Sequence, residues 1–236
     1  MNELSIIIPV LNEAENIKLL IPKIFKQLKK INLKKYEVIL VDDNSKDKTQ
    51  DVVKKLKKNN NFLRIFIRKN KNKDLSKSCI FGFKKSKYTN ILVMDGDFQH
   101  NPKYIINLYN LFQKKNYDFV IGTRNLTSTN KTKLSIFRLG VSIIIIKFIN
   151  LMLGKKTKDP LSGFFIFKKN FYIQNRKKLY SRGYKILSDL LYSTKQSLNI
   201  RDVNISFEKR TKGESKIKIK ILLIFISFVL KKFVNG

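Results

Sequence analysis

The chain has 236 residues, 43% of them hydrophobic and 28% charged, which suits one well-buried core with a small appendage and excludes two full-sized domains. Lysine and arginine together number 50 against 17 acidic residues, a formal net charge of +33. This charge favours an anionic partner, either a nucleic acid or an anionic membrane surface, although a lysine-biased proteome produces the same excess.

The N-terminal half alternates strand-like and helix-like patterns. Four runs are nearly all apolar, as in strands buried on both faces of a parallel sheet: residues 4–10, 36–41, 63–67 and 91–94. Between them, apolar side chains recur at helical spacing: residues 17–28, 48–58 and 76–86. The alternation predicts an α/β fold, with an open, mostly parallel sheet and helices on both faces. Ligands of such sheets bind beyond the carboxyl ends of the strands, so three polar segments are expected along one rim: residues 9–13, 42–45 and 95–99.

Two aspartates one residue apart, Asp95 and Asp97, follow the fourth predicted strand. In an extended backbone their carboxylates would point to the same side. Mg²⁺ and Mn²⁺ favour oxygen ligands and usually take one or two carboxylates from the protein, and Gln99 can add a carbonyl oxygen. Because Asp-Gly-Asp also suits an ordinary turn, a metal site and a turn both stay open here.

The other polar segments carry groups that a nucleotide diphosphate needs. Asp42 and Asp43 follow the second strand, where a carboxylate can accept hydrogen bonds from a base N–H or from ribose hydroxyls. Basic side chains of the second half can bind phosphates, with arginine favoured for bidentate contact: Arg124, Arg138, Arg210 and Lys216. Each of them alone is also consistent with a solvated surface charge.

The second half continues the alternation and adds two strongly apolar segments. Helices are predicted over residues 102–115 and 181–193, and strands over residues 119–122, 163–167 and 200–207. The apolar segments are residues 135–153 and 217–234. Neither reaches the roughly 18 to 20 uninterrupted apolar residues of a spanning helix, and the N terminus lacks the basic and apolar regions of a signal peptide.

The charge distribution suggests how the C-terminal segment is used. From residue 98 onward there are 28 basic and 6 acidic side chains, so most of the excess charge lies in the second half. In residues 217–234, lysines bracket a short apolar run, a pattern that predicts a helix lying in the membrane interface. Docking of this helix on the core of its own domain is the alternative. We therefore divide the chain into a domain of residues 1–216, including the amphipathic segment 135–153, and a C-terminal interfacial helix of residues 217–236.

Seven segments between residues 5 and 216 form an ordered set: SIIIPVLNEAENI, EVILVDDNSKDKT, NILVMDGDFQHNP, IGTRN, KDPLSGFFIFKKN, GYKILSDLL and RTKGESK. In order and spacing this set resembles the family 2 glycosyltransferases with the GT-A fold, and within them it most resembles the polyprenyl- or dolichyl-phosphate mannose synthases. The resemblance implies a metal-dependent, inverting transfer of mannose from GDP-mannose to a polyprenyl phosphate. It also implies Mg²⁺ or Mn²⁺ as cofactor and a peripheral protein on the cytoplasmic face of the membrane.

The resemblance also implies roles for individual residues. Residues matched to donor binding are Pro9, Asn12, Glu13, Asp42, Asp95, Gly96 and Lys216. Residues matched to the metal motif are Asp95, Asp97 and Gln99. Positions associated with the acceptor phosphate are Arg124, Arg138, Arg210 and Ser215. Asp189 stands where relatives carry Glu and where hydroxyl-glycosylating relatives have a base nearby, so it is a catalytic candidate beside Asp97 and Arg124.

Two departures from the family pattern concern loops. Leu11 stands where the family often has Tyr or Phe. Asp74-Leu75-Ser76 replaces the Gly-Leu-Gly or Gly-Leu-Ser of many members, which leaves the conformation of that loop open.

Three other functions compete with this interpretation. A nucleotidyltransferase would need a glycine-rich, basic loop after the first strand, where this chain has the acidic PVLNEAEN. A nucleic-acid-binding protein would interleave aromatic side chains with a basic stripe, whereas Phe and Tyr here lie mostly in apolar runs. Transfer of glucose from UDP-glucose to the same kind of lipid phosphate is the nearest alternative, because base selection depends on loop contacts.

Overall fold

The computed structural model describes residues 2–69, 72–124, 133–183, 185–206 and 219–234, with residues 133–139, 141, 142 and 219–225 described as backbone only. Its strands are β1 (Glu3–Val10), β2 (Lys35–Asp42), β3 (Leu63–Ile67), β4 (Asn90–Val93), β5 (Phe119–Arg124), β6 (Phe165–Lys168) and β7 (Ile200–Ile205). They form one sheet in the order β3-β2-β1-β4-β6-β5-β7. Neighbouring strands are parallel except along β6, which runs antiparallel to β4 and β5. The predicted open, mostly parallel sheet is confirmed.

Helices cover both faces of this sheet. They are α1 (Ala14–Leu28), α2 (Thr49–Lys58), α3 (Leu75–Lys85), α4 (Tyr104–Lys114), α5 (Lys133–Leu153), α6 (Lys169–Asn175), α7 (Ile186–Ser193) and α8 (Ile219–Val234). The short helix α6 was not predicted. The helix predicted over residues 181–193 begins only at Ile186, because Ser181 and Gly183 have positive φ angles of 59° and 86°, which no α-helix accommodates.

Alternate residues of β1 face opposite sides of the sheet. Ile6 and Ile8 belong to the core cluster beneath α1 and α4, whereas Ile7 belongs to the cluster beneath α3 and α7. All three side chains are fully buried. A strand enclosed on both faces needs apolar residues at every position, which explains the unbroken apolar run.

The strand directions bring several loops to one edge. Strands β1, β2, β4 and β5 all run the same way, so Val10, Asp42, Val93 and Arg124 end at the same rim. Because β6 runs the opposite way, the loop before Phe165 lies at that rim as well. The predicted common edge therefore gains two segments, one at the end of β5 and one before β6.

The C-terminal helix packs on the domain with one face. Phe228 and Val229 are buried and form a cluster with Ile149 of α5. Leu230 and Phe233 of the same helix remain 50% and 59% exposed. Within the described residues, no helix combines the length and apolarity needed to cross a bilayer.

Candidate active site

Asp95 and Asp97 lie in a turn that follows β4. The backbone amide of Gln99 donates to Asp97 Oδ1 at 3.2 Å, and Phe98 has a φ of 63°. The expectation of an extended backbone at the two aspartates is wrong, since β4 ends at Val93 and the aspartates follow in a turn. This turn lies at the rim, and its role in metal binding stays a prediction.

Two glycines fit this turn against the sheet. A Cβ at Gly163 would lie 2.1 Å from Asp95 Oδ2, so the backbone before β6 touches the carboxylate directly. A Cβ at Gly96 would lie 2.7 Å from Val10 Cγ1, where the turn packs on the end of β1. Neither close approach leaves room for a side chain.

The oxygen ligands of the turn suit a hard divalent cation. Asp95 and Asp97 supply carboxylates and Gln99 supplies an amide oxygen. Across the described ranges, no group of three or more His, Cys, Asp or Glu side chains is placed to hold a metal. A site with two carboxylates is the kind that Mg²⁺ and Mn²⁺ complete with water and substrate phosphate oxygens.

His100 is enclosed behind Asp95. Its ring packs on Phe164 with centroids 5.3 Å apart, and Nδ1 lies 3.8 Å from Asp95 Oδ2. Burial, reinforced by the positive charge of Arg124, lowers the pKa of His100 to about 3. The imidazole is therefore neutral near pH 7 and adds no positive charge beside Asp95. Sequence reasoning missed His100, although it stands within the NILVMDGDFQHNP segment.

A bidentate ion pair lies at the same rim. Arg124 donates from Nε to Asp159 Oδ2 at 2.7 Å and from Nη2 to Oδ1 at 2.8 Å. Burial alone would raise the pKa of Asp159, but the hydrogen bonds and charge of Arg124 outweigh it, so this pKa is lowered. Asp159 was also missed; the signal was its place in the KDPLSGFFIFKKN segment. The predicted site residue Arg124 is thus held by a carboxylate at the rim.

The loop after β1 interlocks with the loop after β2. The Asn12 backbone amide donates to Ser45 Oγ at 2.9 Å, and Asn12 Oδ1 accepts from the Lys46 amide at 2.8 Å. The Glu13 amide donates to Thr49 Oγ1 at 3.0 Å. Asn12 thus holds the two loops together through its backbone and its side chain, and Glu13 through its backbone, while Pro9 is buried within β1.

Asp42 is engaged at the end of β2. Its side chain is fully buried, Oδ1 accepts from the Ser45 amide at 3.0 Å, and Oδ2 accepts from Gln50 Nε2 at 2.7 Å. The two oxygens thus bind the loop after β2 and the first turn of α2. The predicted contact of Asp42 with the nucleoside stays a prediction.

Asp43 and Asp74 build the neighbouring part of the rim. Asp43 Oδ1 accepts from Arg68 Nη1 at 2.7 Å, and its Oδ2 accepts from the Asp74 amide at 2.6 Å. Asp74 in turn caps α3 by accepting from the Lys77 amide at 3.0 Å. The conformation at Asp74-Leu75-Ser76, where the sequence departs from the family pattern, is therefore that of a helix start capped by Asp74.

Asp189 is engaged by groups of the fold. Its oxygens accept from the backbone amides of Tyr180 at 2.9 Å and Ser181 at 2.8 Å. Lys232 of α8 places its Nζ 2.8 Å from Asp189 Oδ1, and both side chains are almost fully buried. Asp189 thus links the segment before α7 to the C-terminal helix, and its catalytic assignment stays a prediction.

Four predicted site residues lie outside the part of the chain that the structure describes with side chains: Arg138, Arg210, Ser215 and Lys216. Their assignments stay predictions.

Residues 5–175 match the model of glycosyl transferase family 2, and the chain belongs to this family. It is similar to the dolichol-phosphate mannosyltransferase of Pyrococcus furiosus, with 32% identity over 97% of this chain and 63% of that protein. The chain thus spans less than two thirds of the archaeal relative's length. The enzyme of the same name from Saccharomyces cerevisiae is 30% identical over 98% of this chain and 87% of its own length. The resemblance seen in the sequence is confirmed.

Solved structures share the fold. Glucosyl-3-phosphoglycerate synthase from Mycobacterium tuberculosis, in complex with phosphoglyceric acid, superposes with a TM-score of 0.74 at 16% identity, over 99% of this chain and 80% of that one. The same enzyme in complex with Mn²⁺ and UDP-glucose also gives a TM-score of 0.74 at 16% identity, covering 99% and 79%. The predicted α/β fold of the GT-A type is confirmed.

Proposed function

We propose that this protein transfers mannose from GDP-mannose to a polyprenyl phosphate of the dolichyl type, at a membrane surface. The observation that carries the proposal is the rim on which the Asp95–Asp97 turn and the Arg124–Asp159 pair lie together. The names of the archaeal and yeast relatives supply the sugar and the lipid.

Asp95, Asp97 and Gln99 would hold Mg²⁺ or Mn²⁺ in this proposal. The ion, when bound, neutralises charge on the departing nucleoside diphosphate. Gly163 would hold Asp95 in place for this task by contact, and neutral His100 behind it adds no positive charge that would repel a metal ion. The loops after β1 and β2 would receive the nucleoside.

A phosphate acceptor needs less help from a general base than a sugar hydroxyl does. A phosphate monoester is an anion near neutral pH, so no strong base has to deprotonate it before it attacks the sugar carbon in an inverting displacement. The protein then has to position two anionic substrates and offset their charge. The engagement of Asp189 with α8 supports this view, and we assign that residue a structural role.

The exposed apolar faces of α5 and α8 would seat the domain on the bilayer. Apolar side chains that face solvent on these two helices are Ile144, Leu151, Ile226, Leu230, Phe233 and Val234. With lysines alongside, such a surface suits the interface of an anionic membrane. The polyprenyl tail would lie along it, and the protein would act as a peripheral protein on the cytoplasmic face.

The test is a panel of radiolabelled nucleotide sugars offered with a short-chain polyprenyl phosphate, with and without Mn²⁺. We expect label in the organic phase from GDP-mannose only. Label from UDP-glucose alone would mean that the donor is UDP-glucose and not GDP-mannose. No label from any donor, together with tight and salt-sensitive binding of nucleic acid, would overturn the proposal in favour of a nucleic-acid-binding protein.

A further inference from the structure

Lys185 immediately precedes α7, on a segment anchored at both ends. The Gly183 amide donates to Asp74 Oδ2 at 2.7 Å, and the Gly183 carbonyl accepts from the Ser76 amide at 2.9 Å. Past Lys185, Ser188 Oγ donates to the Pro160 carbonyl at 2.6 Å. The start of α7 is thus tied to α3 on one side and to the residue following Asp159 on the other.

The Lys185 side chain lies among the charges of the candidate active site. It is half-buried, and the groups that act on it are Arg124, Asp159 and Asp95. Burial and the positive charge of Arg124 lower the pKa of Lys185 to about 8, against the opposing effect of the two carboxylates. The ammonium has no hydrogen bond or ion pair in the structure as described. A half-buried ammonium without an anion is unfavourable, and an anionic ligand would relieve this.

The balance of charge at the rim leaves Lys185 in excess. Asp159 matches the charge of Arg124 through two hydrogen bonds. A divalent cation would match Asp95 and Asp97. Among the charged side chains described near Arg124 and Asp95, Lys185 then keeps a positive charge for which no carboxylate partner is seen within salt-bridge distance. Both substrates of the proposed reaction bring phosphate groups.

We propose that Lys185 binds a phosphate oxygen of a substrate, between the Arg124–Asp159 pair and the Asp95–Asp97 turn. The class of ligand is a phosphate oxyanion. It has two possible sources, the diphosphate of the donor and the phosphomonoester of the acceptor, and this choice rests on the proposed function. A lysine suits the position because its ammonium is a compact charge with three donors on a flexible stem.

The test compares Lys185→Met with Lys195→Met, an exposed lysine just beyond α7 that serves as the matched control. Calorimetry measures the affinity of each purified protein for GDP with Mn²⁺ and, separately, for a soluble short-chain prenyl phosphate. We expect Lys185→Met to weaken one of these affinities about tenfold or more, while Lys195→Met changes neither. Loss for GDP identifies the donor diphosphate, and loss for the prenyl phosphate identifies the acceptor.

Thermal unfolding without ligand separates binding from a structural role. Removing an ammonium that has no partner should leave the Tm of Lys185→Met unchanged or raised. Unchanged affinities for both ligands, or affinities lost only together with a large drop in Tm, would overturn the assignment. Because these measurements need no turnover, they stand apart from the proposed function. If the wild type transfers no sugar but loses phosphate affinity in Lys185→Met, the proposed function fails and the phosphate site remains.

Discussion

Arg124 and Asp159 form a bidentate pair with hydrogen bonds of 2.7 and 2.8 Å, and their side chains are 21% and 1% exposed. The pair joins the end of β5 to the loop before β6, two segments that are distant in sequence. Asp159 thereby balances the charge of Arg124 at the rim.

Replacing Asp159 by Asn should destabilise the fold. Breaking a fully buried ion pair costs about 3–5 kcal/mol of folding free energy. Because Arg124 is partly exposed, we expect Asp159→Asn to lose an amount near or below the lower end of that range. Urea unfolding measures the change. The matched control is Asp51→Asn, which removes an exposed pair with Lys54 at 3.8 Å and should cost at most about 1 kcal/mol. Equal stability of the two variants would contradict the role given to Asp159.

The same pair predicts a pH dependence. The pKa of Asp159 lies below its ordinary value of 3.8, so its stabilising contribution is complete above that pH and is lost as the pH falls through the lower, folded-state value. The stability difference between wild type and Asp159→Asn should therefore be largest near neutral pH and shrink in acid. A difference that grows on acidification would have the wrong sign for this explanation.

Replacing Gly163 by Ala should impair metal binding without unfolding the protein. The new methyl group would stand 2.1 Å from Asp95 Oδ2, so the carboxylate has to move. We expect Mn²⁺ affinity, measured by paramagnetic resonance in the presence of GDP, to fall about tenfold or more. Gly140→Ala is the control, because a Cβ there meets nothing within 4 Å and alanine favours the helix. Comparable Mn²⁺ affinity in both variants would show that the contact of Gly163 with Asp95 does not affect metal binding.

Substitutions of two phenylalanines on α8 should affect different properties, one the stability of the fold and the other binding to vesicles. Phe228 is 3% exposed and Phe233 is 59% exposed. Phe228→Ala should lower the free energy of unfolding by about 3–5 kcal/mol, since it removes a buried aromatic side chain. Phe233→Ser should leave stability nearly unchanged and weaken sedimentation with anionic vesicles. If Phe233→Ser binds vesicles as the wild type does, the exposed face of α8 does not meet the membrane.

Replacing Asp189 by Asn distinguishes a catalytic base from a structural anchor. Lys232 would lose its carboxylate partner while remaining buried, so we expect lower stability and increased protease sensitivity of α8. The residual transfer rate per folded molecule should stay within a few-fold of the wild type. A rate reduced a thousandfold in a protein of unchanged stability would restore Asp189 as the base.

Local patterns were enough to predict most of the fold. Buried strands such as β1 and β2 are short unbroken apolar runs, and the amphipathic helices between them keep a clear period. The late start of α7 could not be predicted from the local sequence. It accompanies a positive φ at Ser181, whose backbone amide donates to the Asp189 side chain. The rim was predictable because the carboxyl ends of parallel strands meet at one edge of a sheet.

The candidate site was predictable by residue type and less so by role. Asp42 and Asp189 are aspartates in suggestive places, but nothing local shows that their oxygens are already bound. Asp159 and Lys185 escaped notice because their importance depends on contacts with Arg124 across long stretches of chain. Such pairings exist only in the folded molecule.

In the proposed function, the Asp95–Asp97 turn holds a metal ion that is needed for sugar transfer to a lipid phosphate. Protein stripped with EDTA should carry no label from GDP-mannose into the organic phase with polyprenyl phosphate, and added Mn²⁺ should restore transfer in the wild type but not in Asp97→Ala. Undiminished transfer by the stripped wild type, or by a folded Asp97→Ala variant, would contradict the metal role of the Asp95–Asp97 turn.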